Sequence, residues 1–72
     1  MIKNGDTLKN GWTVIATGNR TVLAMMPGKR YGGYATWFVD DREDTYWGHY
    51  FDEINEAAAD FEDRVARGTK AA

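Results

Sequence analysis

The sequence predicts an α+β fold, a four-stranded antiparallel β-meander with one C-terminal amphipathic helix packed on one face. Three observations lead there. Turn signals divide the first fifty residues at short intervals, the runs between them are rich in β-branched and aromatic residues, and a helical period takes over after Phe51.

The turns are Asn10-Gly11, Gly18-Asn19, Pro27-Gly28 with Gly32-Gly33 behind it, and the acidic run Asp40, Asp41, Arg42, Glu43, Asp44. Between them Trp12 to Thr17, Thr21 to Met26, Tyr34 to Val39 and Thr45 to Phe51 read as strands of ordinary length. Connections of three to seven residues suit antiparallel neighbours and are too short for a parallel crossover. Ahead of them, Asn4-Gly5-Asp6 and Asn10-Gly11 break the chain too finely to assign a strand near Ile2 or Leu8.

From Asp52 to Arg67 the apolar residues Ile54, Ala57, Ala58, Phe61 and Val65 recur at helical spacing and predict the face that docks. Glu53, Glu56, Asp60 and Asp63 recur on the other side. Asp52 is the expected N-cap, and Gly68 is the expected C′ glycine behind Arg64 and Arg67. Acid-first pairs at i, i+4 join Asp60 to Arg64 and Asp63 to Arg67, whereas Glu56 and Asp60 repel. Residues 1–68 form one domain on this reading, and 69–72 a frayed tail.

A chain of 72 residues builds one small core. Without cysteine it has no disulfide framework, so three Trp, four Tyr and three Phe are expected to supply the packing. No run approaches the length of a membrane span, and the N-terminus lacks the apolar stretch of a signal peptide. A soluble, cytoplasmic protein is expected. The net charge of −2 conceals a division: residues 1–39 hold five basic and one acidic side chain, residues 40–72 four basic and ten acidic. Such a chain either meets charged partners or folds its two halves against each other.

No catalytic set is expected. Serine and cysteine are absent, and the single histidine, His49, alternates with Trp47 and Phe51 on the fourth strand as a structural residue would. Asp40, Asp41, Glu43 and Asp44 lack the glycine and glutamate positions of a calcium loop, so no metal or cofactor is predicted.

What remains is surface. One helix covers one sheet face, and both faces carry rings: Ala35, Trp37 and Val39 oppose Tyr34, Thr36 and Phe38, and Tyr46 and Tyr50 oppose Trp47, His49 and Phe51. The face without the helix is therefore expected to expose aromatics unless the N-terminal segment or a second copy of the chain covers it. The segment Asp44, Thr45, Tyr46, Trp47, Gly48, His49, Tyr50, Phe51, Asp52, running into Ala57, Ala58, Ala59, Asp60 and Phe61, resembles the C-terminal half of small proteins of phages and mobile elements, a pool that includes anti-CRISPR inhibitors. The resemblance covers about half the chain and implies a compact inhibitor that blocks a larger nucleoprotein machine.

The leading expectation is thus a non-enzymatic binding protein for a partner with a basic surface, for instance a CRISPR effector. Its contacts would be Glu53, Glu56, Asp60 and Asp63, with Asp41 and Asp44 of the acidic turn and Trp37 and Tyr46 as anchors. A second expectation is nucleic-acid binding by the loop Gly28 to Tyr34, through Lys29, Arg30 and Tyr31. A third is an accessory protein that dimerises through the open sheet face.

Overall fold

A computed structural model describes residues 2–42 and 44–67. Strands β1 (Thr13–Gly18), β2 (Thr21–Met25), β3 (Tyr34–Val39) and β4 (Thr45–Phe51) form one antiparallel sheet in chain order, and helix α1 (Ile54–Arg67) crosses β2, β3 and β4. The expected fold class holds. Glu43, the C′ position at Gly68 and the tail 69–72 lie outside the described residues.

Turn chemistry fixes the first hairpin. Asn19 and Arg20 both have positive φ, 48° and 61°, which is the two-residue turn whose twist matches that of the flanking strands. Asn19 also reaches α1, donating from Nδ2 to the Val65 carbonyl at 2.9 Å. Gly18 lies against Val65 and Phe61 of α1, which stand within van der Waals reach of its Cβ position. The last turns of α1 are thereby seated on the β1–β2 turn.

The register sorts the sheet into two faces. Val22 pairs with Trp37, Ala24 with Ala35 and Val14 with Ala24, so these residues share a face that α1 does not touch; Thr21 pairs with Phe38 and Leu23 with Thr36 on the helix side. Most of the buried apolar cluster sits opposite the helix: Leu8, Trp12, Val14, Val22 and Trp37 over the small floor of Ala24 and Ala35. The expected open face is therefore closed. Its cover is the N-terminal segment, which folds back on β1 through Gly5 N to Val14 O, Val14 N to Asp6 O and Leu8 N to Trp12 O, all within 2.8 Å. Leu8 and Trp12 are delivered onto the sheet by these bonds. Trp12 meets Trp37 edge-on at 5.1 Å, and Tyr50 stands against both at 5.9 and 5.8 Å.

Strand β4 departs from simple alternation. Thr36 pairs with His49 and Phe38 with Tyr46, so Trp47 and Gly48 together oppose Trp37 in a β-bulge. The extra residue shifts the parity. Tyr46 then shares the helix-side face with Phe38, while Tyr50 pairs with Ala35 on the other, which corrects the expectation that the two tyrosines point the same way.

Helix α1 starts later than expected. The Glu53 carbonyl accepts the first helical bond, from Ala57 N, so Glu53 occupies the cap position. Asp52 instead accepts from the Gly32 amide at 2.6 Å and holds the β2–β3 loop. The docking stripe is also rotated. Ala57 is fully buried and Phe61 and Val65 partly so, but Ile54 is exposed and Arg64 takes a place beneath the helix. Position 64 lies seven residues after Ala57, on the same face.

Candidate functional site

The acidic residues expected to form one contact surface serve different ends. In the β3–β4 turn the Asp40 carboxylate accepts from the amides of Arg42 and Asp44, both at 2.9 Å, and from the Tyr46 hydroxyl at 2.5 Å. The Tyr46 bond, followed by the Asp44 amide, holds the Asp40 carboxyl below its usual value, and the same bond raises the Tyr46 phenol. Asp41 faces Arg20 at 3.0 Å and Asp44 faces Lys9 at 3.2 Å. The two halves of opposite charge thus meet at this end of the sheet. Both pairs are exposed, and such pairs contribute at most about 1 kcal/mol each.

Asp60 is not a surface contact. It sits on the sheet side of α1, where its carboxylate accepts from Thr36 Oγ1 at 2.5 Å and Arg64 Nε at 3.2 Å and lies 3.1 Å from His49 Nδ1. Burial pushes its carboxyl up, but the hydrogen bonds of Thr36 and His49 and the charges of His49 and Arg64 outweigh that and hold it below the usual carboxylate value. Trp37 is likewise withdrawn from partner contact: it is 4% exposed, sealed under Trp12 and Tyr50. The apolar residues Leu8 and Trp12, just ahead of the first strand, were the sequence signal for that cover.

Glu53, Glu56 and Asp63 do face solvent, with Asp63 paired to Arg67 one turn along. Glu56, Asp60, Asp63 and Arg67 follow the i, i+4, i+7, i+11 line of one helix flank, and Asp60 fixes that flank as the one above β4. Tyr46, the remaining expected anchor, is 45% exposed. Lys29, Arg30 and Tyr31 are all exposed in the β2–β3 loop.

The residue that sequence reasoning passed over is Trp47. Its φ is +53°, a left-handed backbone that costs a non-glycine residue roughly 1–2 kcal/mol. Its ring is 56% exposed and stands edge-on to Phe38 at 5.5 Å, with Tyr46 at 6.4 Å. The bulge turns its carbonyl toward the helix, where Arg64 Nη2 donates to it at 2.6 Å. Arg64, 6% exposed, lies over the Phe38 ring with 4.9 Å from guanidinium carbon to centroid. Its third nitrogen, Nη1, is buried without an acceptor, and such an unmet donor costs about 1–3 kcal/mol.

Between α1 and β4 these groups line a cleft of about 400 Å³. Phe38 and Trp47 are its apolar lining; His49 of β4 and Asp60, Asp63, Arg64 and Arg67 of α1 are its polar lining. A second concavity of about 500 Å³, near Arg20 and Asp41, has those two charges already paired across it. Among the described residues no cluster of three or more His, Asp or Glu is arranged to hold a metal ion, and no helix is long and apolar enough to cross a membrane. No protein-family model matches the chain, and neither a curated protein nor a solved structure matches it.

Proposed function

We propose that the protein works by binding, without chemistry of its own, and docks on a basic surface of a cytoplasmic protein partner. The observation that supports this best is Trp47, an indole more than half exposed on a backbone conformation that favours glycine. Strain of that kind at an exposed ring is retained for what the ring touches. Tyr46 stands beside it, and Glu56 and Asp63 supply negative charge on the helix flank above. Aromatic anchors carry most of an interface's affinity, while charges steer the approach. A nucleic-acid-handling complex, whose channel is positively charged to hold a polyanion, is the partner class this combination fits. An anti-CRISPR-like inhibitor is the concrete form of that reading.

The test is capture from host lysate on immobilised protein, followed by mass spectrometry. The native chain is expected to retain a nucleic-acid-handling complex at low salt and release it as salt rises. Trp47→Gly, and separately Glu56→Lys with Asp63→Lys, are expected to lose it while circular dichroism is unchanged. Full capture by both variants would overturn the reading.

Tyr31 supports a second reading, direct binding of single-stranded nucleic acid. It is 70% exposed and follows Lys29 and Arg30 in a loop that Asp52 holds in place. Retardation of a single strand in a gel at low ionic strength is its expected sign, and an unshifted band eliminates it.

A further inference from the structure

We propose that Tyr50 and the β2–β3 loop together form a stacking platform for single-stranded nucleic acid, a site that rests on the single-strand reading of Tyr31 and extends it onto the sheet. Tyr50 belongs to β4 and pairs with Ala35 on the face opposite α1. Its ring stands against Trp12 and Trp37, both buried, yet Tyr50 itself is 59% exposed. It is the outer member of a packed group of three rings. A ring held in place before binding loses little conformational freedom when a base covers it.

The strand that carries Tyr50 also anchors the loop. Asp52, two residues further on, accepts from the Gly32 amide, and the Met26 amide donates to the Gly33 carbonyl at 2.9 Å to close the base of the loop. Gly32 has a φ of +61°, and a Cβ there would lie 3.8 Å from Lys29 Cε and 4.0 Å from Tyr50 Cβ. Lys29 and Tyr50 therefore flank one point of the backbone.

Charge and rings together decide the class of ligand. Lys9, Arg20, Arg64 and Arg67 each face a carboxylate, whereas among the described residues Lys29 and Arg30 are in no ion pair. Asp52, the carboxylate bonded to this loop, is engaged by the Gly32 amide. Two cations beside two exposed rings match a chain of phosphates that also offers bases. An acidic peptide would meet the cations and leave the rings uncovered. A duplex keeps its bases stacked on one another and has no face free for a tyrosine, whereas a single strand satisfies both kinds of group.

The experiment is a titration of the isotope-labelled full chain with a thymidine oligonucleotide about eight residues long, observed at the ring protons of Tyr31 and Tyr50 by nuclear magnetic resonance. Saturable upfield shifts at both rings are expected, with an abasic oligomer of the same length and charge weaker by about tenfold or more. Tyr50→Phe keeps the ring and is expected to bind as the native chain does. Tyr50→Leu keeps an apolar side chain against Trp12 and Trp37 but has no ring to stack on, and is expected to weaken binding by about tenfold. Should that variant fail to fold, the Tyr50 shifts of the native chain decide alone. Lys29→Ala with Arg30→Ala is expected to lower the slope of log affinity against log salt by about 1.4, at ~0.7 for each phosphate released. No binding by the native chain at low salt would overturn the single-strand reading and the platform with it. Equal binding of the abasic oligomer, an unmoved Tyr50 ring, unweakened binding by Tyr50→Leu, or an unchanged salt slope would overturn the platform alone, since the strand would still be bound.

Discussion

Asp60 stands on the helix with the spacing of a solvent-facing acid, yet it is the hub through which α1 is tied to β3 and β4. A depressed carboxyl pKa in the folded chain means that the unfolded chain binds the proton more tightly. The stabilisation is then complete above the unfolded value, about 3.9, and is lost as pH falls through the lower folded value. Urea midpoints measured from pH 6 down to pH 2 are expected to fall in that window, and Asp60→Asn is expected to flatten that part of the profile. Gly48 makes the opposite kind of demand, for space. A Cβ there would overlap the buried Trp37 ring, so Gly48→Ala is expected to destabilise by about 2 kcal/mol in denaturant titration. Nothing in an isolated glycine among aromatics announces that neighbour.

Strands and helix were legible because hydrophobic period and turn dipeptides are local signals. Gly18-Asn19 and Pro27-Gly28 end the strands within a residue of where the hydrogen bonding stops. The cleft was not legible, because it depends on a bulge. Trp47 and Gly48 share one partner, and the sequence does not say which residue of an aromatic run is the extra one. From that single insertion follow the outward ring of Trp47, the inward carbonyl that Arg64 reads, and the separation of Tyr46 from Tyr50. Arg64 itself was half legible: it follows Ala57 by seven residues, but a guanidinium on a docking face is unexpected until a carbonyl and a carboxylate are found for it. The loop before β3 is held in a similar long-range way. Asp52→Ala frees the Gly32 amide and is expected to cost about 1 kcal/mol while speeding hydrogen exchange at Gly32 and its loop neighbours.

The molecule as a whole is three layers deep, with an N-terminal cover, a sheet and a helix, and its larger apolar cluster lies under the cover. At roughly 0.05–0.15 kcal/mol per residue, a domain of this length holds about 4–11 kcal/mol in total. Truncating a buried tryptophan costs about 3–5 kcal/mol, so Trp12→Ala is expected to remove about a quarter or more of the stability and lower the thermal midpoint by well over 10 °C. A helix-side change such as Ile54→Ala, at an exposed position, is expected to leave the same melting curve almost unmoved. The chain order of the sheet has a kinetic corollary. Every strand lies beside its predecessor in sequence, and the cover belongs to the segment just ahead of β1, so few distant encounters must be found before the structure closes. As the polypeptide leaves the ribosome, each hairpin meets its neighbour in the order of synthesis, and α1, which follows the four strands in sequence, finds its platform already assembled.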